Sequence, residues 1–194
     1  MKKLLFIITL FFIVSGCKEK KKENKEEQTM VVDNKELYNI YYEDKTSWDS
    51  GIIDSDLDSI RRMRVNQLLD SNKIKTANDF ERAAIVFEHG KDSTNLKKAL
   101  NLIKIAVEMD STINKKTYAT ITDQYLLSIG KPQIYGTIFT TMDNYLIKHA
   151  EIDTTQVTDK ERISYGVETL AEQKASIKKA NDIRAEVVKR ANEK

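Results

Sequence analysis

The sequence predicts a mainly α-helical fold: a compact helical array with tetratricopeptide-like helix pairs, a small β-hairpin and a long C-terminal helix. Three observations lead there. A single Pro and six Gly in 194 residues leave few chain breakers. Apolar residues recur at i, i+3, i+4 and i+7 over several windows, the period of a one-sided helix. Ser, Thr, Asp or Asn stand just ahead of most of those windows, where helix caps belong.

The N-terminus comes first. Met1-Lys2-Lys3, the apolar run 4–14 and Ser15-Gly16-Cys17 follow the order of a charged region, an apolar core and a small-residue cleavage site. That run is too short to remain in a bilayer as a spanning helix. Val14-Ser15-Gly16-Cys17 resembles the lipobox of bacterial lipoproteins, although Val14 stands where Leu is commoner. The resemblance implies a signal peptide over 1–16, diacylglycerol on Cys17 and a membrane partner through that lipid anchor. Losing Lys2 and Lys3 with the leader takes the formal charge from +2 to 0. A balanced chain of this kind has no single-sign field to recruit nucleic acid. The segment 17–30 is nearly all Lys, Glu, Asn and Gln after the cysteine, and reads as a solvated tether.

Residues 31–194 read as one helical domain. A first helix is expected over 34–45, capped by Asp33 or Asn34, with Leu37, Tyr38 and Tyr41 on one face. The stretch 46–55, with the lone Trp48 and Gly51, reads as a loop. Asp54 or Ser55 then caps a helix to about 69 whose apolar positions are Leu57, Ile60, Val65, Leu68 and Leu69. Thr76-Ala77-Asn78-Asp79 resembles a capping box ahead of Phe80, Ala83, Ala84 and Phe87. Ser93 is expected to cap a helix bearing Leu96, Ala99, Leu100, Ile103 and Val107, and the small Ala residues let this pair pack closely. A third run, 115–129, carries Tyr118, Ile121, Tyr125 and Ile129 and stops at Gly130-Lys131-Pro132.

From Gln133 the period shortens to two, and a hairpin is expected over 133–141 and 145–149 around Asp143-Asn144. Thr158 to Glu161 forms a capping box for a short helix. A polar terminal helix over 169–191 completes the chain, with Leu170, Ile177, Val187 and Val188 as its stripe.

One cysteine and two histidines, His89 and His149, exclude a disulfide framework and a thiolate metal site, and no HExxH, GxSxG or glycine-rich phosphate loop is present. No metal and no cofactor are expected. Asp54-Ser55-Asp56-Leu57-Asp58-Ser59 has the look of a calcium loop but lacks its Gly and its terminal Glu. Glu88, His89 and Asp123 are the candidate catalytic residues, because paired carboxylates and a histidine can exchange a proton if they meet. His89 can equally cap its own helix. Around 123–137 a Pro, two Gly, a Lys, two Gln and two Tyr crowd one helix-to-strand junction. Such a junction either holds polar side chains over a pocket or is a rigid corner that satisfies buried backbone groups.

Gly130-Lys131-Pro132-Gln133-Ile134-Tyr135-Gly136-Thr137, preceded by Asp123, resembles the motif of an uncharacterised bacterial domain-of-unknown-function family of exported or lipid-anchored proteins. Arg61-Arg62, Phe87-x-His89-Gly90 and the 157–162 segment resemble further landmarks of it. The resemblance adds Arg61, Arg62, Lys131, Gln133, Tyr135 and Thr137 as candidate binding residues. Three positions depart from the pattern: Gln124 for an Arg, Glu88 for a Gln and Ile138 for a Gln. The expected protein is an envelope lipoprotein of unassigned molecular function, an interaction or accessory module with a possible envelope protein partner. The alternative is a hydrolase or small-molecule binder using a polar pocket at the 123–137 junction.

Overall fold

The structure is a computed structural model that describes residues 31–142 and 145–192, and the side chains up to residue 190 outside that gap. The leader, Cys17, the tether and the Asp143-Asn144 pair lie outside the described residues. Seven helices and one two-stranded antiparallel hairpin are seen among the described residues: α1 Lys35–Asp49, α2 Ser55–Asp70, α3 Ala77–Glu88, α4 Ser93–Met109, α5 Lys115–Ser128, β1 Phe139–Thr141, β2 Ile147–His149, α6 Asp159–Ser164 and α7 Leu170–Asn192. The chain is mainly helical, as its periodicity predicts.

The helical pair α3 and α4 forms the centre, with α1 and α2 laid on α3 and α5 laid on α4. Ala83, Ala84, Ala99 and Ala106 are wholly buried and let the backbones approach, while Leu37, Val65, Leu68, Phe87 and Ile103 fill the space around them. A second, smaller cluster of Ala119, Tyr135, Val157 and Val167 lies under α5 and α6.

The termini follow the caps, with four corrections. Helix α1 runs on through Trp48 to Asp49 instead of stopping near 45. Its Thr46 and Ser47 hydroxyls donate to the carbonyls of Tyr42 and Glu43 one turn back, so residues that usually favour loops stay helical. The cap of α4 is Asp92 rather than Ser93, with its carboxylate accepting from the Thr94 and Asn95 amides. Thr76 caps α3, but Asp79 does not complete the box: its carboxylate reaches across 45 residues to accept the Asn34 amide at 2.9 and 3.1 Å. On α2 the buried face carries Asp58 and Arg61, while Leu57 and Ile60 are exposed.

Gly130 ends α5 as expected. Its φ of +72° suits a residue without Cβ, its amide donates to Leu127 and the Lys131 amide to Leu126, which closes a Schellman turn. Ile129 falls at this turn and is exposed. The hairpin is shorter than its alternating pattern predicts. Gln133 makes one parallel bridge to Ile152, and residues 134–137 form an irregular loop whose amides and carbonyls are taken up mainly by side chains. In α7 the expected stripe is only half used: Leu170 and Ile177 are partly covered, whereas Val187 is 60 % exposed and Val188 is also open. The face of Tyr38 is likewise open.

Replacing Ala99 by Leu forces apart two backbones that touch through methyl groups. We expect a loss of about 1–3 kcal/mol in urea unfolding, read as a lower midpoint at an unchanged slope.

Candidate functional site

Two structures compete for the candidate residues: a buried corner and an open cleft. The corner is built on Asp123, wholly buried on α5. Its Oδ1 accepts the Ile134 and Tyr135 amides at 2.9 Å each, and its Oδ2 accepts the Thr137 amide at 2.9 Å and the Thr137 hydroxyl at 2.8 Å. Gln133 is equally buried. Its Nε2 donates to the carbonyls of Ile138 and Ala150, and its Oε1 accepts the Ile138 amide. From the other side Arg162, also buried, donates to the carbonyls of Ile134, Tyr135 and Val157.

Gln173 on α7 completes the corner. Its Nε2 donates to the Tyr135 and Glu168 carbonyls, which turns its Oε1 toward His149 Nε2 at 2.8 Å. His149 must then be the donor, so the tautomer is set by the amide. Gly136, at φ +85°, has no Cβ, and one placed there would collide with Gln173. Tyr135 packs on Tyr165 at 5.2 Å, and burial pushes its phenol well up from the ordinary tyrosine range. Both oxygens of Asp123 and the amide of Gln133 are thus committed to backbone.

The cleft lies elsewhere, between α1, α3 and α5, with a volume of about 340 Å³. Tyr41, Ile85 and Ile121 give it apolar walls, while Lys45, Asp49, Glu88 and Lys116 bring charges of both signs. His89, the C-cap of α3, lies within it. Its Nδ1 stands 2.5 Å from Oδ2 of buried Asp44 and donates to it, its ring stacks on Trp48 at 4.4 Å, and its Nε2 is 3.6 Å from Glu88 Oε2. Asp44 also faces Arg61, at 3.9 Å, which is paired with Asp58 at 3.0 Å. Among the described residues, Asp44 Oδ1, Trp48 Nε1 and Arg61 Nε are buried without a hydrogen-bond partner, as is Gln124 Oε1. Lys91 covers Trp48 at 5.2 Å and pairs with Glu88 at 3.1 Å.

The candidate residues therefore do not share one pocket. Glu88 and His89 line the cleft, Asp123, Gln133 and Tyr135 build the corner, and Lys131 is exposed outside both. Arg61 serves the buried cluster behind His89, and half-buried Arg62 lines neither cavity. Thr137 spans the two roles, bonded to Asp123 yet lining a second cleft of about 170 Å³ with Lys116, Thr120, Gly136, Phe139, Val167, Glu168 and Gln173. Sequence reasoning missed Asp44, Trp48 and Gln173. The spacing Asp58-x-x-Arg61 on a helix is the one local sign of a buried ion pair here.

No helix among the described residues is long and apolar enough to cross a membrane. They also contain no group of three or more His, Cys, Asp or Glu placed to hold a metal ion.

The chain belongs to a family of unknown function, DUF6624, whose model matches residues 57–186. The match covers His89, Asp123 and the corner, and begins after α1, which supplies Asp44 and Trp48. No curated protein and no solved structure matches the chain.

Two outcomes test the corner. Asp123→Asn turns an amide N–H₂ toward backbone donors and should cost about 2–5 kcal/mol in urea unfolding, the cost of stranding one or two buried donors. Burial holds the His149 imidazole below the ordinary histidine value of 6.5. Its folded form binds fewer protons than the unfolded chain, so stability falls as pH drops below about 6.5. His149→Gln should flatten unfolding midpoints between pH 7 and 5; an unchanged pH profile would remove His149 from this role.

Proposed function

We propose that the protein is an envelope lipoprotein whose helical domain is an interaction module, receiving a small zwitterionic group in the cleft over His89. The observation that carries this reading is the orientation of His89: a buried carboxylate and a stacked indole fix the ring at the edge of a charged, partly apolar cleft. Binding sites need few polar groups held in place, and a ring clamped on two sides loses little freedom on binding. Lys116 suits a ligand carboxylate, and Glu88 suits a ligand ammonium. The walls of Tyr41, Ile85 and Ile121 suit the carbon skeleton between them. The lipobox-like Val14-Ser15-Gly16-Cys17 and the charged segment after it support the anchor.

A hydrolase is the second reading. With Nδ1 committed to Asp44, Nε2 is the histidine atom left to take a proton, 3.6 Å from Glu88.

Trp48 is the only tryptophan and stacks on His89, so its emission reports on the cleft. Titration with amino acids and dipeptides should give a saturable change that acetate and ethylammonium do not. Lys116→Ala and Glu88→Gln should each weaken binding about tenfold or more, the worth of one charged hydrogen bond. Equal response to single-charge ions, or none to the zwitterions, would sink the reading. Cleavage of a bound dipeptide would favour the hydrolase. Cys17→Ser should move the protein from the membrane fraction to the soluble fraction, and unchanged partitioning would refute the anchor.

A further inference from the structure

We infer that the natural ligand is an extended peptide, added as a third strand to the free edge of β1 and continuing past Lys116 and Thr120 into the His89 cleft. This rests on the reading of that cleft as a binding site and goes further by naming what fills it. The starting observation is the unequal treatment of the hairpin's two edges. On β2, Asn181 of α7 accepts the Ile147 amide at 2.8 Å and donates to the Ile147 carbonyl at 2.9 Å. At Ile147 that edge is covered by α7.

The same contacts fix the register on the other side. Because Ile147 turns its backbone groups away from β1, its pairing with Thr141 is of the non-hydrogen-bonded kind, and so is Phe139 with His149 two residues on. Phe139 and Thr141 therefore point their N–H and C=O groups outward from β1. Among the described residues no protein group takes them up. All three β1 residues are exposed, Phe139 at 46 %. Folded proteins usually guard such an edge with a charge, a Pro or a bulge, and Phe139-Thr140-Thr141 has neither charge nor Pro.

A continuous track leads from this edge to His89. Phe139 lines the smaller cleft, and that cleft shares Lys116 and Thr120 with the larger one. These two residues sit one helical turn apart on α5, so two side chains divide the cavities. A peptide is the occupant that fits every part. Alternating main-chain donors and acceptors are what an open edge recognises, and a cavity beside the edge takes the side chains that alternate along the added strand. A free peptide terminus with an oppositely charged side chain beside it brings into the larger cleft both charges that its mixed walls suit.

The test uses the ¹⁵N-labelled full chain and two probes: an equimolar pool of random dodecapeptides, and the same pool N-methylated at alternate residues. The unmodified pool should shift the amides of Phe139, Thr141, Lys116 and Thr120 together, and methylation should weaken that response at least tenfold. Thr141→Pro removes one outward N–H without touching a bond to β2, and should weaken binding about tenfold, whereas Thr141→Ala should not. Shifts confined to the His89 cleft, or equal for both pools, overturn the added strand while leaving the cleft reading intact. Shifts on β1 without Lys116 and Thr120 refute the continuous track. Concentration-dependent dimerisation through β1, insensitive to the pool, would assign the edge to a second copy and refute the peptide.

Discussion

The Asp123 carboxylate is the interaction on which the second half of the molecule depends. A carboxylate with no access to water is tolerated only where hydrogen bonds replace its hydration. Here four donors from three residues of the 134–137 loop do so, and both oxygens are used. The relation is mutual. A loop that folds into neither helix nor strand has no ladder to satisfy its amides, and without Asp123 they would be buried and orphaned. Arg162 does for the loop's carbonyls what Asp123 does for its amides, and Gln173 ties the same loop to α7.

The two halves of the domain are thereby held by different physics. Helices α1 to α5 share an apolar interior in which Ala and Leu side chains decide the fit. The hairpin, α6 and α7 rest on a cluster of only four buried apolar residues, too few to hold them alone, since a two-stranded hairpin is marginal in water. Polar side chains from α5, α6 and α7 make up the difference. Helix α5 belongs to both regimes. Ile121 faces the first core, Ala119 the second, and Asp123 the loop. Lys116 and Thr120 on the same helix stand where the two clefts meet, the larger one within the first half and the smaller one between the halves.

The helices were legible because their signals are local. An Asp or Thr ahead of a 3.6-residue stripe is readable within a dozen residues, and α3, α4, α5 and α6 follow such signals closely. Burial of charge is not local. Asp58 and Arg61 occupy the inward face of α2 because Asp44, 14 or more positions earlier, meets them there, and a reading that ranks positions by hydropathy assigns that face to Leu57 and Ile60 instead. The Asp44–His89 contact spans 45 residues and leaves no spacing to find. At the junction the choice between a pocket and a corner could not be made from composition, since both need a polar residue beside Gly and Pro. What decides it is the count of donors around Asp123, which only the folded chain supplies. The lower half of α7 was misjudged for the opposite reason: Ile183, Val187 and Val188 make an apolar stripe that is exposed among the described residues.

Gln124 Nε2 donates to Glu88 Oε1 at 2.6 Å, which ties α3 to α5 beside His89. Glu88 then has one oxygen held by Gln124 and Lys91 and the other toward His89 Nε2, which makes that end of the cleft an acceptor for a cation. Lys45 and Lys116 supply the opposite sign from α1 and α5. The mixed polarity that suits a zwitterion is therefore set by side chains of α1, α3 and α5, beside a corner that leaves Asp123 no part in it.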